Sequence, residues 1–323
     1  MSDISNVYAV TRIRVKENGL LTENFMNQLV QAGSYQECLR MLRDKGWVQG
    51  GSDDLTKILS DERAKTWDLM REILKKDISR LDVFLYANDY LNLKSAIKET
   101  SMQHEYKGIY VDEGAVPAAL IRKAVSEKDF KLLPERLSAV AEEALRTYLM
   151  TNDGQLCDIL VDKAALEAIY QAGRESGSAF LKEYAEITVA SADIKIALRA
   201  AKTGKRKDFY EKALAACDSL DITDLSAAAM SGMEKLTEYI GKTIYAGGVE
   251  AFKVSMSQFE KWCDDLLIEK MRPQKYNPFG IDPIAAFVLA RENEIKSVRI
   301  VLSGKLNQLP DRFIEERIRE MYA

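Results

Sequence analysis

Lysines fall at 94, 195 and 296, 101 residues apart each time. The runs around them align as Asn92-Leu93-Lys94-Ser95-Ala96-Ile97-Lys98, Asp193-Ile194-Lys195-Ile196-Ala197-Leu198-Arg199 and Glu294-Ile295-Lys296-Ser297-Val298-Arg299. Each opens on a polar or acidic residue, follows it with Leu or Ile and then Lys, and adds a second base soon after. One such match means little, but the equal spacing reads as an internal triplication. The chemistry these bases offer is electrostatic. Taken singly they are solvated helix charges; taken together they are a ring of like charge around a shared axis, facing an acidic partner.

Other residue types that carry chemistry point away from catalysis. His104 is the only histidine, so a two-imidazole metal site or a paired Glu-x-x-His site cannot be built, and a Ser-His-Asp triad would have to use this one loop residue. Gly241-Lys242-Thr243 resembles the end of a phosphate-binding loop, but the pattern needs a glycine five residues before Gly241, and position 236 is Leu236. Asp264-Asp265 with Glu269 lacks the carboxylate one turn on that a magnesium-binding helix face requires, since position 268 is Ile268. Cys38, Cys157, Cys217 and Cys263 are far apart, with no Cys-x-x-Cys, and read as buried thiols of a reducing compartment. No catalytic residue, cofactor or metal is expected.

The elements that hold these residues are helical. With 47% apolar and 30% charged residues, but only 17 Gly and 6 Pro in 323 residues, there is little turn material for an all-β fold. A net charge of −4 argues against nucleic acid as the main partner. The opening Met-Ser-Asp-Ile-Ser-Asn lacks the basic start and apolar run of a signal peptide, and apolar runs such as 284–290 are far shorter than a bilayer requires. A soluble, cytoplasmic chain without membrane insertion is expected.

Along the chain, Val7 to Val15 fits a strand by residue type and a helix by spacing; helix is preferred because no second strand follows to pair with it. Gly19 ends it, Thr22 opens the next helix, and Ser34 with Glu37 forms a capping box. Gly46 to Asp54, with Gly50-Gly51, reads as a loop. Helices follow over 55–73, 81–99, 116–125 and 132–170, the last as one long span, with a connection over 102–114 and a turn at Gly173 to Gly177. After a short basic link at 202–208, Asp221 and Thr223 cap a long helical region that runs to Gly247-Gly248 and resumes to Met271. In the third copy Asp282 caps a helix with Pro283 in its first position, and Ile284, Phe287, Val288, Ile295, Val298 and Leu302 form its apolar stripe. Asn293 is a possible break. Pro310-Asp311 opens a last amphipathic helix through Phe313, Ile314 and Ile318. Three helical units result, 1–115, 116–215 and 216–323.

Three segments carry a family resemblance: Phe279-Gly280-Ile281-Asp282-Pro283 through Arg299-Ile300-Val301-Leu302-Ser303-Gly304-Lys305; Tyr8-Ala9-Val10-Thr11-Arg12-Ile13-Arg14-Val15 with Gly19-Leu20-Leu21; and Asn88-Asp89 before Asn92-Leu93. They resemble the C subunit of the V-type and A-type rotary ATPases, the relative of the eukaryotic d subunit. The resemblance implies an all-α, funnel-shaped protein of three similar units with pseudo-threefold symmetry. It implies a non-catalytic central-stalk rotor component, peripheral to the cytoplasmic face of the membrane. Its partners would be the D and F subunits of the shaft and the membrane rotor ring of c/K subunits. Arg12, Arg14, Lys94, Lys195, Arg291, Lys296 and Arg299 are then expected at partner interfaces or the cavity wall. The competing expectation is a helical interaction scaffold unrelated to rotary motors, and beyond it a helical enzyme using Asp264 and Asp265.

Overall fold

The computed structural model describes residues 3–48, 52–104 and 106–323, and among them it contains helices and no strand. The chain opens with α1 (Asp3–Glu17), so the stretch from Val7 to Val15 is helical. Thr22 caps α2 (Glu23–Gln31), its hydroxyl accepting the Phe25 N–H at 3.3 Å. Ser34 caps α3 (Tyr35–Asp44), while the Glu37 carboxylate reaches back to the N–H of Gly33 at 2.8 Å, one residue beyond the usual capping box. Gly46, at φ 78°, turns the chain out of α3; Gly50-Gly51 of the expected loop lies outside the described residues. Asp54 caps α4 (Leu55–Leu74).

Several expected boundaries move. The helix expected from Leu81 begins as 3-10 turns over Lys75–Phe84, which bury Leu81 and Val83, and becomes α5 (Tyr86–Met102). After α6 (Ala118–Glu127), the single span expected over 132–170 is two helices, α7 (Glu135–Thr151) and α8 (Gly154–Glu175). Asn152 at φ 53° closes one and Asp153 caps the other. Gly173 lies inside α8 and not in the turn, which falls at Gly177 (φ 68°) before α9 (Ala179–Lys202). A methyl on Gly173 would collide with Cβ of Ala185, so glycine sets the close approach of α8 to α9.

The region after α10 (Lys207–Ala213) is also more broken than the spacing suggests. Asp221 alone caps α11 (Ile222–Met230), taking the N–H groups of both Thr223 and Asp224. Gly232 at φ 107° then separates α12 (Met233–Ile240), and the extended Ser255 divides α13 (Val249–Val254) from α14 (Met256–Met271). In α15 (Asp282–Leu306) the cap is Ile281, so Asp282 and Pro283 occupy the first turn. Asn293 does not interrupt it, because its amide donates to the carbonyl of Glu320 at 2.8 Å and leaves the helical ladder intact. The last helix, α16 (Asp311–Glu315), stops short of Ile318.

Contacts divide the chain into two compact units, Met1–Ile78 with Gly248–Ala323, and Ser79–Gly247. In the first, Leu29, Leu39, Leu42 and Leu59 of α2–α4 pack around Val298, Val301 and Leu302 of α15. In the second, Leu93, Ala96 and Ile97 of α5 pack against Ile121, Leu137, Leu145 and Val161 of α6–α8, while α9 lies against α8, α11 and α12. Each buried Leu, Ile or Val stabilises its unit by about 1.5–3 kcal/mol. In both, a helix carrying the repeated motif packs on several other helices of its unit.

Candidate functional site

The first residue of each motif copy is buried: Asn92, Asp193 and Glu294. Each sits one step before a core residue, Leu93, Ile194 or Ile295, so the helix carries it inward. Each then holds a backbone N–H of a connecting segment. Asn92 accepts from Val111 at 2.8 Å and donates to its carbonyl at 2.9 Å. Asp193 accepts from Ala215 at 3.1 Å, and Glu294 accepts from Leu21. The exchange of Asn for Asp at this step therefore preserves the role. The signal was a polar residue recurring just before the buried position, masked by the lysine two residues on.

Around α5, Asn88 and Ser95 also donate to Glu113 and Ile109 carbonyls, at 2.6 and 3.1 Å. The connection over 102–114 is therefore stitched along the helix. Asp89 is fully buried, accepting from the Val116 N–H and paired at 2.5 Å with Arg136, which stacks over Tyr86 with its guanidinium carbon 3.9 Å from the ring centroid. Burial pushes the Asp193 carboxyl up to about 8, with Lys163 of α8 opposing and Glu167 reinforcing. Its second oxygen has no hydrogen-bond partner among the described residues.

Arg291 organises the corresponding cluster on α15. It pairs with Glu62 of α4 at 2.7 Å and Glu294 at 2.5 Å, and lies over the Trp47 ring at 5.0 Å. Lys65 joins through Glu62 at 2.5 Å. Burial pushes Glu294 up to about 7 against the pull of Arg291. Two acids and two bases meet in this cluster, so that Glu62 and Arg291 each have an opposite partner where burial would otherwise penalise their charge.

The remaining expected interface residues lie on α1, α5, α9 and α15. Lys94 pairs with Asp162 of α8 at 2.6 Å, and Lys296 with Asp264 of α14 at 2.8 Å. Asp264 also takes Arg319, and Asp265 takes Lys261. The two aspartates are thus the anchors of basic side chains. Lys195 is half-buried on α9 and Arg299 is exposed on α15. On α1, Arg12 pairs with Glu72 and donates to the Tyr8 hydroxyl, while Arg14 pairs with Glu17 and holds the Gln274 and Asn277 carbonyls at 2.5 and 2.8 Å. His104 stacks edge-on against Tyr106, and the Cys38, Cys157 and Cys217 thiols are pushed up by burial to about 11, 11 and 12. No helix among the described residues is long and apolar enough to cross a membrane.

The arrangement is one of internal stitching and paired charge, suited to holding shape. The C subunit of the A-type ATP synthase of Methanocaldococcus jannaschii is 23% identical, over 94% of this chain and 83% of its own. The C subunits of the V-type sodium ATPase of Enterococcus hirae and of the V-type ATP synthase of Thermus thermophilus are each 22% identical, over 96% of this chain and 97% of theirs. The family model for the ATP synthase (C/AC39) subunit matches residues 9–317, nearly the full length, and the chain belongs to that family.

Proposed function

We propose that this ATPase component works as a socket in the rotor, joining the D and F shaft to the membrane ring of c/K subunits and passing torque between them for ion transport. The observation that carries the reading is the family match from residue 9 to 317. The chain itself makes and breaks no bonds in this scheme; it belongs peripherally at the cytoplasmic face, held by its partners. Torque transfer needs a body that does not twist internally, and close-packed helices with stitched connections meet that need.

The triplicated plan, with boundaries near 115 and 215, supports the same reading. Two shorter helices followed by two longer ones occur as α2–α5 and α6–α9, and again over α11–α15 with α13 as an extra turn. Asn92, Asp193 and Glu294 each hold the segment leading into a pair of shorter helices, the last of them the pair nearest the amino terminus. Among the basic residues, Arg12, Lys195, Lys296 and Arg299 are the contacts a partner would meet. Arg14, Lys94 and Arg291 act through the turn and the helices they hold.

The test is a pull-down of the tagged chain from native membranes with mass spectrometry. Co-purification of the shaft and ring proteins is expected. Recovery without any ATPase component would overturn the rotor assignment.

A further inference from the structure

The groove between the 3-10 turn Phe130–Leu132 and α7 distinguishes the middle pair of shorter helices from the others. α7 has 17 residues where α3 has 10 and α12 has 8. The connection before it runs over 128–134, whereas those at 32–34 and 231–232 are tight turns. The extra length leaves an open groove of about 530 Å³. Leu145 and Leu149 line it one helical turn apart on α7, with Met150 beside them. Leu149 is 57% and Met150 78% exposed, large apolar side chains left open to water.

The rim carries three bases and two acids, a net charge of +1. Lys128, Lys131 and Arg146, all exposed, border the apolar floor, and none has an ion-pair partner among the described residues. We propose that this groove is a docking site for an amphipathic helix of net negative charge from a partner protein. The apolar side chains of such a helix, three and four residues apart, would fill the space over Leu145, Leu149 and Met150, with carboxylates set against the three bases. Asp129 and Glu142 on the same rim disfavour an anionic lipid surface and select a helix that also carries a base. If the chain is the rotor piece proposed above, on which this inference rests, the helix belongs to another component of the ATPase and the groove gives the middle repeat a contact the other two lack.

The experiment introduces a photo-crosslinking amino acid, Met150→p-benzoylphenylalanine, into the full chain, illuminates native membranes and identifies adducts after purification of the ATPase. Expected is an adduct within an acidic helical segment of another ATPase protein. It should be lost, together with at least a tenfold drop in retention of that protein, in a Lys131→Glu, Arg146→Glu variant of unchanged melting temperature. A chain that co-purifies with the ATPase but gives adducts only to lipid, only to a second copy, or none, overturns the groove and leaves the rotor assignment standing. A chain that co-purifies with no ATPase component overturns both.

Discussion

Asn92, Asp193 and Glu294 do one job with three side chains, and the differences among them are testable. Asp193 is held well above the ordinary carboxylate range, so between about pH 4 and 8 the folded chain keeps a proton that the unfolded chain has lost. Its contribution is favourable at low pH and falls as pH rises, by on the order of 5 kcal/mol across that window. Glu294, raised to about 7, acts with the same sign. Asp193→Asn keeps an acceptor for the Ala215 N–H and removes the titration, which is the chemistry already present at Asn92. Urea midpoints measured from pH 5 to 8 should therefore decline less steeply in the variant, and the two should differ most at pH 8. Equal slopes would mean that Asp193 is solvated. Arg291→Met strands Glu62 and Glu294 and should cost about 3–5 kcal/mol, whereas Lys296→Ala, at a half-exposed pair, should cost at most about 1 kcal/mol. Equal losses in the two variants would contradict the difference in burial.

At the scale of elements, what could be read from sequence were the features written in local residue types. Thr22, Ser34 and Asp221 cap helices because each places an oxygen at a helix start, and the apolar spacing of the third motif copy does yield one long helix. The breaks were not readable: Asn152 and Ser255 end helices through single backbone conformations that apolar periodicity does not register. Asn293 misled in the opposite direction, because its amide is satisfied by Glu320, more than twenty residues on. The lysine triplet was visible as a pattern, but the carboxylates at Asp162 and Asp264 that pair two of its members lie on other helices, beyond the reach of spacing. Gly173 also had a role hidden from its neighbours in sequence. Gly173→Ala forces α8 away from α9 and should destabilise by about 1–3 kcal/mol, even though alanine favours helix. Gly154→Ala, whose methyl meets only the Tyr148 ring at 3.6 Å, should be close to neutral when both variants are compared by calorimetry; a loss equal to that at Gly173 would remove close helix approach as the cause.

For the whole molecule, stiffness and grip are separable. If the chain is the rotor piece proposed above, Arg12→Ala combined with Arg299→Glu should weaken capture of the shaft proteins about tenfold while lowering the melting temperature by no more than about 2 degrees, because charges and ion pairs this close to solvent contribute more to association than to folding. Undiminished capture would remove these two residues from the interface. Arg14→Glu should also release the turn held at Gln274 and Asn277, lowering stability together with binding. The most direct test of the proposed torque transfer is ATP-driven ion uptake by membranes from cells lacking this chain, measured beside ATP hydrolysis by the soluble catalytic sector. Hydrolysis should continue while uptake is absent, and adding the purified chain should restore uptake; uptake that persists without the chain would contradict the proposed coupling role.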